Sequence, residues 1–145
     1  ACAMLGIDGS HLPRQSVRPP DPHWDWPIPV NFQQGVKCGN VIFVGGQISA
    51  KGHAEPVHRG DLVKQTRVCM QLIRDVLTAY GAKLDDIVKV NTFYRGGASY
   101  DQLHKNLSIR SASFKEPGPT TTGIPLEALG MEDIEIEVEA YAIVD

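Results

Sequence analysis

The clearest periodic pattern runs from residue 61 to residue 80. Apolar and small side chains recur there at steps of three and four residues, which places one stripe on a single helix face: Leu62, Thr66, Cys69, Ile73, Val76, Leu77 and Tyr80. Asp61 is suited to cap the start of this helix and Gly81 to end it. The pattern predicts an amphipathic helix that packs on a core, with Cys69 as a buried thiol.

A second helix is predicted after Ser99, which can serve as its N-cap. One side of this helix would carry Tyr100, Leu103, Leu107, Arg110 and Phe114. Pro117 and Pro119 follow and end it, because proline disfavours helix in the residue before it.

Four segments have the patterns of strands. Residues 36–49 (VKCGNVIFVGGQIS) predict two strands joined by a tight turn at Cys38–Asn40, and their Gly-Gly pair is typical of a bulge or of a close approach to the backbone. Residues 84–94 predict a capped turn followed by a strand, and a further strand is expected within Thr120–Leu126. Residues 133–144 alternate, with Ile134, Ile136, Val138 and Ala140 on one face and Glu135, Glu137, Glu139 and Tyr141 on the other.

The predicted order is β-β-α-β-α-β-β, which indicates an α+β domain with two helices packed on one face of a mixed sheet. We assign this domain to residues 31–145. Residues 1–30 hold six of the ten prolines, which excludes helix and central strand there and predicts an extended arm. The arm also carries Trp24 and Trp26. These rings either pack on their own domain, or cross to a neighbouring subunit or rim a pocket.

Composition narrows the function classes. The 145 residues suit one domain, and no apolar run is long enough to span a membrane. The net charge of −3 and the scattered basic residues argue against nucleic-acid binding. Three widely spaced cysteines predict no disulfide framework, and the five histidines lack metal-ligand spacing, so we expect no metal. The first residues lack the pattern of a secretory signal, so a reduced cytoplasm is the expected location.

Two motifs could carry chemistry, since no nucleophile elbow, phosphate loop or dinucleotide-binding glycine motif occurs. The three strand glutamates either form a solvated face or include a desolvated carboxyl group with a raised pKa, suited to general acid–base catalysis. The segment PGPTTTGIP (117–125) is either a sheet edge with turn residues or a constrained segment that holds an anionic group.

Together, residues 36–49, the helix at 61–81, LDDIVKVNTFY and the closing EIEVEAYAIV resemble the Rid family of reactive intermediate deaminases, also called the YjgF type. The resemblance covers about residues 30–145, and its most specific parts are the G-Q-I segment and the E-x-E-A segment. It implies a chorismate-mutase-like fold and a homotrimer whose sheets form a central barrel, with clefts between neighbouring subunits. It also implies hydrolysis of enamines and imines, small-molecule substrates, to carbonyl compounds and ammonia without any cofactor.

The same resemblance assigns roles by position. Glu137 corresponds to the glutamate that positions water and relays protons. Phe32 and Gly45 stand where the family usually has a cleft tyrosine and a serine, and both lack the hydroxyl group. Gly46 and Gln47 match the family. We therefore expect Glu137 to be catalytic, and Phe32, Gly45 and Gly46 to contact substrate.

The position that binds the substrate carboxylate in the family differs in this sequence. Thr120 and Thr121 fall where the pocket is lined, but Pro119 replaces the arginine that forks onto the substrate carboxylate. Loss of that contact should remove roughly 2–5 kcal/mol of binding. Arg95, directly after a strand, is the first candidate to replace it. Other basic residues considered are Lys37, Arg110, Arg14 and Arg18.

Three functions remain open at this point. The chain is a deaminase acting on a larger or atypical substrate, such as a 2-aminomuconate-like compound, or it is a non-catalytic trimer that binds small molecules. The third is the RNA cleavage that some family names assert, and the excess of acidic over basic residues argues against it.

Overall fold

The computed structural model describes residues 13–17, 19 and 23–145. Within them, six strands form one sheet in the order β1-β2-β3-β8-β6-β7, and two helices cover one of its faces. The elements are β1 (Arg14–Val17), β2 (Gly35–Cys38), β3 (Val41–Ile48), β4 (Ala50–Lys51), β5 (Glu55–Pro56), α1 (Leu62–Ala79), β6 (Ile87–Arg95), α2 (Tyr100–Ser111), β7 (Thr120–Leu126) and β8 (Ile136–Ile143). Strands β6 and β7 pair in parallel and the other neighbours are antiparallel, which confirms the predicted α+β class with a mixed sheet.

The first predicted hairpin is present. Strands β2 and β3 pair with Cys38 opposite Val41, across a two-residue turn. Gly39 has a φ of 61° in this turn, a conformation that glycine adopts without steric cost. Beyond the hairpin, β4 and β5 form a separate two-stranded sheet that the sequence pattern did not predict.

Helix α1 matches its prediction closely. The Asp61 side chain accepts a hydrogen bond from the Lys64 N–H at 2.9 Å, and Gly81 follows the helix with a φ of 73°. The predicted stripe is buried against the inward face of β8, with Cys69 fully buried. Burial raises the pKa of the Cys69 thiol, which keeps it protonated and supports the assignment as a core residue.

Helix α2 departs from its prediction. It ends at Ser111, before Phe114, and Tyr100 and Leu107 are exposed. Of the predicted side, Arg110 is buried and Leu103 and Phe114 are half-buried, whereas the buried Asn106 was not predicted. Asn106 escaped the prediction because it is buried through a hydrogen bond to Thr66 on α1, which apolar periodicity does not register.

Part of the proline-rich arm packs on its own domain. Residues 14–17 form the edge strand β1 against β2, a position where neighbouring prolines are tolerated. Trp24 bridges to Gly52 and packs in a small apolar cluster with Ile48, Leu72 and Ile134. Arg18 and Cys2 lie outside the described residues.

The sheet face opposite the helices is open. The predicted alternation of β8 is confirmed, since Ile136, Val138 and Ala140 are buried toward the helices and the glutamates face the other way. Every residue of β7 is exposed, and Phe43 on β3 is 43% exposed. Among the described residues, no helix is long and apolar enough to cross a membrane.

Candidate active site

Strand β8 and the residue before it place three carboxylates in a row, and the structure distinguishes them. Glu135 forms an ion pair with Arg95, with Oε1 3.3 Å from Nη1. Glu139 accepts hydrogen bonds from the Asn91 amide at 2.7 Å and from the Tyr141 hydroxyl at 3.3 Å. Within the described part of the chain, the Glu137 carboxylate has neither a hydrogen bond nor an ion pair. It is therefore the carboxylate of this row that is free to act on another molecule.

An irregularity in β3 makes room for Glu137. The register between β3 and β8 shifts between Val44 and Gln47, so the two glycines lie in the irregular segment, as their position in the strand predicted. A Cβ atom on Gly46 would overlap Oε1 of Glu137 and lie 2.8 Å from its Cδ. A residue without a side chain is therefore needed at position 46 for this carboxylate orientation.

Glu137 and Gly46 face a cavity of about 220 Å³. The rest of the lining is mostly apolar: Trp24, Trp26, Ile48, Leu129, Gly130, Met131 and Ile134. The two indole rings meet edge to face, with centroids 5.5 Å apart. Trp24 is buried whereas Trp26 is 39% exposed, so the second ring stands between the cavity and solvent.

The environment of Glu137 suits proton transfer. Burial raises the pKa of Glu137 above its ordinary value, and the negative charge of Glu139 raises it further. A carboxyl group with a raised pKa keeps its proton to higher pH than an ordinary glutamate, which favours a role as proton donor as well as acceptor.

The structure brings only some of the predicted site residues to this cavity. Gly46 and Glu137 line it together. Gly45 lies beside it in the irregular part of β3, where its N–H donates to the Gln34 carbonyl at 2.9 Å. Phe32 is 75% exposed and is not part of the lining.

The predicted threonines lie elsewhere in the chain. Thr120 and Thr121 are exposed on β7. Thr121 lines a second cavity, of about 260 Å³, together with Arg110 and Pro119. This cavity shares no lining residue with the cavity at Glu137, so the two are separate cavities of the chain.

Arg95 lies in an acidic environment. It lines a third cavity, of about 290 Å³, with Glu132 and Asp133. This cavity adjoins the one at Glu137, with which it shares Leu129, Met131 and Ile134. The surrounding carboxylates, including its partner Glu135, disfavour an additional anion beside Arg95.

Sequence reasoning missed the wall formed by Leu129 and Met131. These residues lie in the connection between β7 and β8, which has no periodic pattern. By contrast, the tryptophans were recognisable in sequence as rings that pack on the domain or rim a pocket, and the structure shows them doing both. Among residues 13–17, 19 and 23–145, no group of three His, Cys, Asp or Glu side chains is placed to hold a metal ion.

Several known proteins are similar to this chain in sequence or in fold. A RutC family protein of Pyrococcus abyssi is 31% identical over 117 residues, which cover 80% of this chain and 89% of the relative. A protein of Dermatophagoides farinae named 2-iminobutanoate/2-iminopropanoate deaminase is 23% identical over 82% of this chain and 91% of its own length. The crystal structure of RidA from an Antarctic Psychrobacter matches with a TM-score of 0.74 and 20% identity, covering 90% of this chain and 99% of that one. That likeness supports the fold.

The family model described as endoribonuclease L-PSP matches residues 27–144, nearly the whole described domain. The match begins after Trp24 and Trp26, so both rings of the cavity wall lie outside it. The chain belongs to the endoribonuclease L-PSP family, the family of YjgF, RutC and Rid proteins.

Proposed function

We propose that this chain is a hydrolytic deaminase that converts an enamine or imine to a carbonyl compound and ammonia. The observation that carries the proposal is the Glu137 carboxylate, which is unpaired within the described chain, has a raised pKa and faces an apolar cavity. The Dermatophagoides relative, whose name states an imine deaminase, supports the reaction class.

The reaction needs one group that gives and takes protons. Protonated Glu137 donates its proton to the enamine carbon, and the carbon–nitrogen bond becomes an iminium. The ionised carboxylate then accepts a proton from a water molecule as its oxygen adds to the iminium carbon. Glu137, protonated again, gives this proton to the carbinolamine nitrogen, ammonia leaves, and the carboxylate takes the hydroxyl proton as the carbonyl forms. The raised pKa of Glu137 favours the proton-donating half of this cycle, and its unpaired carboxylate serves the accepting half.

The cavity favours a substrate longer than the small 2-imino acids. The cavity has a volume of about 220 Å³. Trp24, Trp26 and Met131 line it with flat or flexible apolar surface, which suits an unsaturated carbon chain. A 2-aminomuconate-like compound has this shape.

The open sheet face supports a homotrimer, in which the cavities at Glu137 and at Thr121 of neighbouring subunits would meet. Exposed Phe43 and Ile124 on this face are costly in water and would be buried in such an assembly. Light scattering after size exclusion is expected to give about three times the 15.9 kDa of one chain. A monomer would remove the proposed cleft.

A binding trimer without turnover remains the second function, because Phe32, Gly45 and Pro119 lack the polar groups that the family resemblance expects. RNA cleavage is disfavoured, since the row of glutamates on β8 would repel a phosphate backbone. The expectation of a cytoplasmic location stays a prediction.

The test is ammonia release from freshly generated 2-aminoacrylate, 2-iminobutanoate and 2-aminomuconate, each measured against its uncatalysed decay. We expect acceleration of the longest substrate, and a loss of about 10²–10⁴-fold in Glu137→Gln. Glu127→Gln is the matched control, because Glu127 is exposed and lines none of the cavities described above. No acceleration of any substrate favours the binding trimer, and full activity in Glu137→Gln removes the role of Glu137.

A further inference from the structure

Arg110 on α2 is a buried cation held by neutral groups. Its side chain is among the buried ones, with the residue 8% exposed. Nε donates to the Asn106 Oδ1 at 2.9 Å, and Nη1 donates to the Thr121 Oγ1 at 3.3 Å. The Asn106 amide in turn donates to the Thr66 hydroxyl at 2.7 Å, so the guanidinium is positioned by a chain of contacts that reaches α1.

No carboxylate in the described part of the chain balances this charge. Glu116 lines the same cavity as Arg110 but makes no ion pair with it, and Lys115 pairs with Asp85. Burial lowers the pKa of Arg110, as expected for a cation without a counter-charge. A buried charge without a counter-charge is unfavourable, so it is rarely retained without a purpose.

The surroundings of Arg110 form a cavity rather than packed core. It has a volume of about 260 Å³ and lies between the end of α2 and the start of β7. Ser111, Lys115 and Thr121 add polar groups to its lining. Nη2 of Arg110 makes no hydrogen bond within the described residues and is not among the fully enclosed polar atoms. The guanidinium therefore keeps donors for an anion that enters the cavity.

We propose that Arg110, supported by Thr121, binds the carboxylate of the substrate in place of the arginine that the family resemblance expects at position 119. This inference rests on the proposed function for the identity of the ligand, a carboxylate-bearing enamine or imine. Pro119 lines the same cavity, so Arg110 on α2 supplies a positive charge in the region where the family resemblance expects an arginine at position 119. Arg95 is the weaker candidate because Glu135 already pairs with it.

Binding without turnover tests the inference. The probe is trans,trans-muconate, a stable dicarboxylate, compared by titration calorimetry with its uncharged diamide. We expect the wild-type protein to bind the dicarboxylate, and Arg110→Met to weaken this binding by about 30-fold or more, which corresponds to about 2 kcal/mol. Arg67→Met is the control, since Arg67 is an exposed arginine on α1 and lines none of the cavities described above.

Two results would overturn the inference: equal binding of muconate by Arg110→Met and the wild type, or equal binding of the diamide and the dicarboxylate by the wild type. A purely structural Arg110 would lower the melting temperature of Arg110→Met and leave its affinity unchanged. If Arg110→Met does not fold, Arg110→Lys keeps the charge without the planar fork, and we expect about tenfold weaker binding. Wild-type affinity in Arg110→Lys would then refute the proposal.

The inference and the proposed function fail separately. Muconate binding that depends on Arg110, with no acceleration of any enamine, overturns the deaminase and keeps the anion site. Turnover by Arg110→Met with an unchanged KM overturns the anion site and keeps the deaminase. We expect Glu137→Gln to lose turnover and to bind muconate like the wild type.

Discussion

Gly46→Ala is the sharpest test of how the backbone positions the proposed acid. The added Cβ would overlap Oε1 of Glu137 and lie 2.8 Å from its Cδ, whereas ordinary contacts begin near 3.4 Å. The obstructing atoms belong to the end of a flexible side chain. Glu137 can therefore rotate away, and we expect its carboxylate to move by about 1 Å.

That movement should cost far more activity than stability. A displacement of about 1 Å in a reacting group can lower the rate by about 10²-fold. The off-rotamer side chain costs roughly 0.5–1.5 kcal/mol, and the loss of glycine flexibility in the unfolded chain offsets about 0.4–1 kcal/mol of that. We therefore expect kcat/KM for the best enamine to fall about 100-fold while the melting temperature changes by only a few degrees.

Ammonia release and calorimetric unfolding measure the two effects. Gly123→Ala is a matched control, because its Cβ would lie 3.5 Å from the Tyr94 ring, an ordinary contact. Wild-type turnover in Gly46→Ala would refute the argument that the space at Gly46 positions the Glu137 carboxylate. Loss of the fold would contradict the view that the clash is confined to one side chain.

Three further predictions concern the same cavity. In Glu139→Gln the pKa of Glu137 should fall, because a neighbouring negative charge is removed. The pH above which kcat/KM declines should therefore move to a lower value. If it does not move, the decline does not report the ionisation of Glu137. Because the pKa of Glu137 is raised in the folded state, its ionised form costs stability at neutral pH and this cost vanishes below the unfolded pKa of about 4.3. Glu137→Gln should then melt above the wild type at about pH 7.5 and level with it below about pH 4, and a constant difference across this range would be inconsistent with the raised pKa. Trp26→Ala should raise KM for the longest enamine and leave 2-aminoacrylate unaffected; equal effects on both would mean that this ring does not select chain length.

The fold was predictable where apolar periodicity decides which surface is buried. Helix α1 and strand β8 follow this rule, since their stripes form the core between helix and sheet. Helix α2 does not, because Asn106 and Arg110 are buried through hydrogen bonds that apolar periodicity does not register. Strand β1 was not predicted as a strand, since Arg14 pairs with Cys38, a contact distant in sequence.

The site was predictable only in part for a similar reason. The alternation in β8 marked three glutamates equally, and only the family resemblance favoured the middle one. What distinguishes them physically is the neighbouring strand β6, which supplies Arg95 and Asn91 to the outer two. Partners across a sheet depend on register, and one sequence does not determine register between distant strands.

The two unpaired charges have opposite signs, and this matches what the proposed reaction requires. A proton donor that must also ionise needs a carboxyl group with no cation nearby, because an ion pair would hold its pKa low. A carboxylate anchor needs a guanidinium with no acid nearby, because an existing partner would compete with the substrate. Glu137 and Arg110 each meet one condition, in cavities that share no residue within one chain. In the proposed homotrimer, a substrate that engages both groups would lie between two chains, and assembly would then be a condition of turnover and not of anion binding.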